Sequence, residues 1–254
     1  RYTWEDAVAV KHFTKEFVDE QRLQCSNLEF STEYEAQFIA DEDAYFGHAL
    51  VEQCISDYEL MNDTSVVDAT KSYVLGADLA RLGQDSSVFT VIEQGDIARV
   101  IFIKELKKNR MDEAIDYIKF LHNKFKFKKI VCDQTGIGAG VADVLSKELN
   151  LPSLVKPTTY KQQYAPTDIV VGLDFTIKNK EDIFSNLKIR MEQKKIIYPN
   201  HKKLIFELKD FRYETAPSGH LKLHHSEGGH DDFVDALACA AHGLRGRSHS
   251  FFFG

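Results

Sequence analysis

Near its C-terminal end the chain reads His230-Asp231-Asp232-Phe233-Val234-Asp235-Ala236-Leu237-Ala238-Cys239-Ala240-Ala241, three carboxylates within five residues running into small apolar residues. On a helix, Asp232 and Asp235 are spaced i,i+3 and Asp231 and Asp235 i,i+4, so all three can share one face. Val234, Leu237, Ala238 and Ala241 would then form the opposite, buried stripe. Like charges at that spacing repel, so helix stabilisation does not explain them. A divalent cation would, because carboxylate oxygens are the donors that Mg²⁺ and Mn²⁺ prefer. The plainer alternative is a capped, solvated helix start, where acidic residues favour the positive end of the helix dipole. The triplet alone leaves these two readings even.

Two further acids sit at the ends of apolar runs. Asp78 ends Tyr73-Val74-Leu75-Gly76-Ala77-Asp78, and Asp133 ends Ile130-Val131-Cys132-Asp133. Either alone can be a turn or cap residue. If the two runs are neighbouring strands, both side chains emerge at the carboxyl edge of the sheet, where ligands bind in open α/β folds. The Asp-rich helix can pack across that same edge. Phosphodiester hydrolysis needs an activated water, in-line geometry and neutralisation of the leaving oxygen, and two cations roughly 3.5–4 Å apart can supply all three. We assign the bridging position to Asp78, with Asp133 and Asp232 completing the cage. Asp231, Asp235 and Asp85 are candidate outer ligands or supporting contacts, and His230 can reach the metal site or a phosphate. Without metal, mutual repulsion is expected to raise the carboxylate pKa values.

These residues need elements to carry them. Strands are expected at Ser72–Asp78, Val88–Glu93 and Ile97–Lys104, with Gln94-Gly95-Asp96 as a hairpin signal between the last two. Met111–Phe125 reads as an amphipathic helix, Lys129–Asp133 as a buried strand, Gly138–Leu149 as a helix and Ser153–Pro157 as a strand. Helices follow at Asp182–Lys194 and His201–Phe211, around a short extended Ile196–Tyr198. Arg212–Thr215 and His220–His225 flank Pro217-Ser218-Gly219 as a hairpin, read as a flap over a DNA groove or as a plain surface hairpin. A meander of three strands followed by alternating helices and strands is an α/β order with a mixed sheet. It is similar to the order of the ribonuclease H-like fold. Residues 1–70 read instead as a small helical segment. Thr3 and Asp6 have capping-box spacing before a pattern running to Leu23, and Thr32 and Glu35 repeat it. A short Ala49–Ile55 segment follows, then Asn62-Asp63-Thr64-Ser65 as a linker. A division at residues 70/71 is expected.

The net charge of −7 is unevenly spread: residues 1–70 hold 4 Lys+Arg against 16 Asp+Glu, and residues 71–254 hold 28 against 23. Basic residues cluster in 104–129 and 178–203, which suits a polyanion held over a metal site. Lys107, Lys108 and Arg110, with Arg212 and Lys222 of the hairpin, are the candidate DNA contacts. The net +5 of the second part predicts weak, salt-sensitive binding. No apolar run is long enough to cross a membrane and no signal peptide opens the chain, so secretion is not expected. Arg1 in place of Met is expected of a fragment or processed product. Cys25, Cys54, Cys132 and Cys239 are scattered, which argues against a zinc site or a disulfide framework and suits a reducing cytoplasm. No Walker A pattern occurs. Gly136-Ile137-Gly138-Ala139-Gly140 departs from the dinucleotide-binding spacing and is read as tight packing near Asp133. His220, His224, His225 and His230 have no thiol partner and are read as DNA-facing or hinge residues.

Taken together, the motifs resemble those of the nuclease part of a tailed-bacteriophage terminase large subunit. The resemblance is carried by Gly76-Ala77-Asp78-Leu79-Ala80 with Asp85 downstream, by Val131-Cys132-Asp133 before Gly136-Ile137-Gly138, and by Gly229-His230-Asp231-Asp232-Phe233-Val234-Asp235-Ala236-Leu237-Ala238. Ile196-Ile197-Tyr198-Pro199 with Leu204 and Glu207-Leu208 adds to it. Phe30-Ser31-Thr32-Glu33-Tyr34-Glu35-Ala36-Gln37-Phe38 is similar to the segment closing the family's ATPase domain. The resemblance implies a ribonuclease H-like endonuclease that cuts concatemeric double-stranded viral DNA during packaging with Mg²⁺ or Mn²⁺, in the cytoplasm of the infected host cell. It implies the portal protein, the small terminase subunit and DNA as partners, and an ATPase domain upstream of Arg1 whose tail is residues 1–70. Some relatives vary the third metal ligand within His230–Asp235. Two other readings stay open: a resolvase- or transposase-type nuclease of the same fold, and a non-catalytic DNA or portal docking module.

Overall fold

A computed structural model of the chain describes residues 3–24, 34, 44–80, 86–135, 140–151, 153–154, 169–217, 219–226 and 229–244. Strands β1 (Tyr73–Asp78), β2 (Ser87–Glu93), β3 (Ala98–Leu106), β4 (Lys129–Asp133), β5 (Ser153–Leu154), β6 (Val170–Leu173) and β7 (Ile196–Ile197) form one mixed sheet in the order β5-β6-β4-β1-β2-β3-β7. The first three are an antiparallel meander. β4 then joins β1 in parallel, and β6 and β5 continue in parallel beyond it. This is the ribonuclease H-like mixed sheet that the order of elements predicts.

Both faces of the sheet are covered, and the strands are apolar on both. Alternation assigns each residue to a face. Tyr73, Leu75 and Ala77 of β1 and Ile130 and Cys132 of β4 share one core with helices α4 (Met111–Phe125) and α5 (Gly140–Leu149). α4 lies on that core through Ala114, Ile115, Ile118, Leu121 and Phe125, and ends where Lys126 turns left-handed at φ 52°. On the opposite face Val131, Val88 and Ile92 belong to a second core, with helices α6 (Ile177–Glu192), α7 (Lys202–Asp210) and α8 (Asp232–Gly243). Asp78 and Asp133, being even-numbered after Val74 and odd-numbered after Val131, fall on this second face.

Several expectations need correction. β6 is an unexpected strand that inserts between β4 and β5; its four residues, one of them Gly172, are too short a run to show a period. α6 begins at Ile177 and not at Asp182, because Thr176 Oγ1 accepts the Asn179 N–H at 3.3 Å as an N-cap. The single helix expected to Leu23 is two, α1 (Trp4–Ala9) and α2 (Lys15–Gln24), separated at Lys11 with φ 59°. Thr3 N–H does donate to Asp6 Oδ2 at 2.8 Å in the expected box. The Asp-rich helix has no single buried stripe: Phe233–Gly243 are buried all round, because α8 is packed between the sheet and α6 and α7. The segments around Thr32–Glu35, Phe30–Phe38 and Gly136–Gly138, and Asp85, lie outside the described residues, apart from Tyr34.

Residues 44–60 lie against the second face, and at Met61 the chain passes to the first core. Tyr45, Phe46, Val51 and Cys54, around the short helix α3 (His48–Glu52), are buried in the same core as α8. Asn62–Ser65 is a turn in which Asn62 Oδ1 accepts the Thr64 N–H at 2.9 Å. Strands β8 (Phe211–Thr215) and β9 (Leu221–His225) pair as the expected antiparallel hairpin. Among the described residues no helix is long and apolar enough to cross a membrane.

Candidate active site

The parallel register Gly76↔Val131 and Ala77↔Cys132 sets Asp78 and Asp133 next to each other at the carboxyl ends of neighbouring strands. Both point to the face that α8 covers. α8 can lie flat there because no side chain separates it from β1: a Cβ on Gly76 would stand 2.1 Å from Ala236 O and 2.3 Å from Ala240 N. At the far end of the helix, a Cβ on Gly243 would meet Val74 Cγ1 at 2.5 Å. Small residues at Gly76, Ala236, Ala240 and Gly243 thus fix how deep the helix sits. Its acidic first turn is thereby set at the edge that bears Asp78 and Asp133.

The start of α8 is held from two sides. On α7, the buried Glu207 accepts the Phe233 and Val234 N–H groups through Oε2 at 2.8 and 3.1 Å, which satisfies amides left open at a helix N-terminus. On α6, Lys180 donates through Nζ to Asp231 Oδ2 at 2.9 Å and to Asp235 Oδ2 at 3.3 Å. Its side chain is 14% exposed, and its ammonium lies 5.4–5.5 Å from the ring centres of Phe175, Phe184 and Phe211. Asp231 and Asp235 thus share Lys180, while Asp232 and, less strongly, Asp231 repel Glu207. Asp133 is held in turn by Thr135, whose N–H and Oγ1 donate to Asp133 Oδ1 at 2.8 and 2.5 Å. Thr135 Oγ1 accepts the Phe175 N–H at 2.6 Å, tying the loops after β4 and β6 together.

Charge at this edge is poorly balanced. Asp78 is raised well above the usual carboxylate range, first by burial and then by the nearby Asp235, Asp232, Asp133 and Asp231. Asp235 is also raised well above it by burial, with Lys180 opposing and Asp231 and Asp133 adding to the rise. Glu207 is raised by burial and then by Asp232, against the pull of its two amide donors. Repulsion is thus present as expected, but burial is the larger cause. Burial alone would lower Lys180; Asp235 and Asp231 outweigh it, and the lysine is held charged.

A cleft of about 340 Å³ opens here, lined by Asp133, Thr135, Phe175, Ile177, Lys180, Lys222, Leu223, Asp231 and Asp235. A larger cleft of about 570 Å³, between residues 55–60 and Pro199–His201, holds none of the clustered carboxylates. Among the described residues no three His, Cys, Asp or Glu side chains already enclose a point suited to a metal ion. The donor set nevertheless fits a hard cation. The clustered acids offer only carboxylate oxygens, and Asp235 Oδ1 is buried without a hydrogen-bond partner among the described residues. In this arrangement the ammonium of Lys180 supplies positive charge that the carboxylates require.

The expected DNA contacts are scattered around this edge. The pairings Asp78↔Val88 and Val88↔Glu105 place the turn after β3, with exposed Lys107, Lys108 and Arg110, at the same end of the sheet as Asp78. Arg110 is engaged by Asp112 at 2.5 Å, and Lys222 by Glu214 at 2.6 Å across the hairpin. Arg212 is mostly buried and faces Asp210 Oδ1 at 3.9 Å. His230 is exposed, and His220 Nδ1 lies 2.8 Å from Glu181 Oε2, so the hairpin tip meets α6. The ring nitrogens of His224 and His225 meet backbone carbonyls of the next residues. Sequence reasoning missed Lys180, Glu207 and Thr135 as site residues. The Asp-x-Thr spacing of Asp133 and Thr135 was a local turn signal that could have been used. For Lys180, 51 residues before Asp231, no local signal exists.

The terminase large subunit of Thermus virus P23-45 is 28% identical over 229 residues, which cover 89% of this chain and 43% of that protein. The chain therefore spans less than half of the length of this relative. The fold is similar to that of the large terminase nuclease from thermophilic phage G20c with bound magnesium, at a TM-score of 0.63 and 23% identity over 80% of this chain and 98% of that one. The cobalt-bound form of the same nuclease matches equally, at 0.63, with the same identity and coverage. The family model of the terminase RNaseH-like domain matches residues 75–243, from β1 through to the end of α8, and the chain belongs to that family.

Proposed function

We propose that the chain is an endonuclease that hydrolyses phosphodiester bonds of concatemeric double-stranded viral DNA during genome packaging, using two Mg²⁺ or Mn²⁺ ions. The observation that carries this reading is the gathering of Asp78, Asp133, Asp231, Asp232 and Asp235 from three chain-distant segments at one sheet edge, with Lys180 as a partial counter-charge. Magnesium bound to the G20c large terminase nuclease, which has this fold, supports it. In this reading Asp78, Asp133 and Asp232 hold the ions, with Asp235 and Asp231 beside them. The ions, when bound, supply an activated water and neutralise the leaving oxygen. Thr135 keeps Asp133 aimed, and Glu207 keeps the first turn of α8 in place. Lys107, Lys108 and Lys222 around the edge would contact phosphates, which position DNA without reading its sequence. The reading extends to residues 1–70 as the tail of a preceding ATPase domain, and to the portal and small subunit as partners.

The test is incubation of the chain with supercoiled plasmid and Mn²⁺. The expected result is nicking and linearisation by the wild type and loss of both in Asp78→Asn, Asp133→Asn and Asp232→Asn. Cleavage unchanged by these substitutions would sink the site. DNA binding without cleavage in any metal would favour a docking module, and preference for four-way junctions over linear duplex would favour a resolvase.

A further inference from the structure

Lys180 carries an inference that deepens this reading and rests on it. Its ammonium bonds two of the clustered carboxylates, at 2.9 and 3.3 Å, and is enclosed by three aromatic rings. Electron-rich ring faces favour a cation there, and the carboxylates keep it charged. Asp231 and Asp235 are thus provided with positive charge by the chain itself. Any divalent ion drawn to the same carboxylates must share them with the ammonium or displace it, and the two cations repel.

We propose that Lys180 is a positioning residue that acts as a built-in counter-cation. It holds Asp231 and Asp235 as a preformed pair while metal is absent, and it weakens the affinity of the cluster for divalent ions. Its consequence is a threshold: the full ion complement is reached only at a higher metal concentration than the carboxylates alone would need. A lysine with a purely structural role would give the opposite result, since loosening the site would weaken metal binding.

The test uses the full chain with Lys180→Met, Lys180→Gln and Lys180→Arg, and reads Mn²⁺ binding by calorimetry and melting temperature with and without Mn²⁺. Removing one unit charge beside the ion in a partly buried site is expected to tighten Mn²⁺ binding by roughly tenfold in Lys180→Met. Its metal-free melting temperature falls below that of the wild type, and Mn²⁺ raises it by a larger increment. Lys180→Arg, which keeps the charge, retains the weaker binding. A folded Lys180→Met with unchanged or weaker Mn²⁺ affinity overturns the proposal. If Lys180→Met is unfolded without metal, Lys180→Gln decides: recovery of its fold on adding Mn²⁺ supports the proposal, and failure to recover overturns it. A wild type that cuts plasmid while Lys180→Met binds Mn²⁺ no tighter overturns this inference alone, whereas a wild type that neither binds Mn²⁺ nor cuts overturns the nuclease reading with it.

Discussion

Gly76 and Ala236 meet backbone to backbone: a Cβ on Gly76 would lie 2.1 Å from the Ala236 carbonyl oxygen. β1 and α8 therefore approach too closely to admit any side chain at position 76. Because Asp78 is two residues beyond Gly76 on β1 and Asp235 immediately precedes Ala236 on α8, this single contact brings the two carboxyls into each other's field. Packing and electrostatics are joined at one residue that bears no functional group.

Gly76→Ala is accordingly expected to cost about 3 kcal/mol or more, since the added methyl meets rigid backbone and not a side chain that can turn away. Urea unfolding measures it, and metal-dependent cleavage should fall with the displacement of α8. A loss below about 0.5 kcal/mol, typical of an unconstrained surface site, would contradict the close approach.

Glu207 separates two effects by choice of substitution. Glu207→Ala leaves the Phe233 and Val234 amides unpaired and is expected to cost about 1–3 kcal/mol. Glu207→Gln keeps an acceptor and removes the repulsion with Asp232, so its stability should lie much nearer the wild type. Equal losses in the two variants would show that the negative charge of Glu207, and not its acceptor, holds the helix start.

Asp78 is expected to show opposite effects on stability and activity. Its carboxyl is raised well above the usual range by burial and by four neighbouring acids, so its charged form is disfavoured in the metal-free fold. Asp78→Asn should therefore raise the melting temperature of the metal-free chain while abolishing cleavage. Thermal melts in chelator, set beside melts in Mn²⁺, check both parts. A metal-free melting temperature lower than that of the wild type would count against a frustrated cluster.

Asp63 predicts an acid-sensitive clasp. It accepts Tyr117 Oη–H at 2.6 Å and Lys104 Nζ–H at 3.0 Å, while Lys124 Nζ donates to the Asn62 and Asp63 carbonyls at 2.8 and 2.9 Å. Burial opposes ionisation, but Tyr117 and Lys104 outweigh it, and the carboxyl lies below its ordinary value of 3.8. A lowered pKa contributes stability that is full above pH 3.8 and is lost as the pH falls through the folded value. With 38% of the side chain exposed, solvent screening keeps the contribution under about 1 kcal/mol. The stability gap between wild type and Asp63→Asn should be constant above pH 3.8 and close below it; a gap that widened in acid would reverse the assignment.

Much of this architecture was legible locally. Met111–Phe125 and Lys129–Asp133 fall at the expected bounds because their apolar periods and end signals lie within the segments themselves. The acids Asp78, Asp133, Asp231, Asp232 and Asp235 were visible as types and spacings for the same reason. β6 was not, since a four-residue strand is stabilised by its neighbours β4 and β5 and not by its own pattern. Nor could the sequence show that Lys180, 51 positions before Asp231, bonds Asp231 and Asp235, or that Glu207 accepts the first amides of α8. Short-range preferences are written into neighbouring residues, whereas burial and the balance of charge depend on which distant segments pack together. By itself the sequence determined which groups could do chemistry and on which elements they ride; only the tertiary structure decided which carboxylates face one another and which cation stands between them.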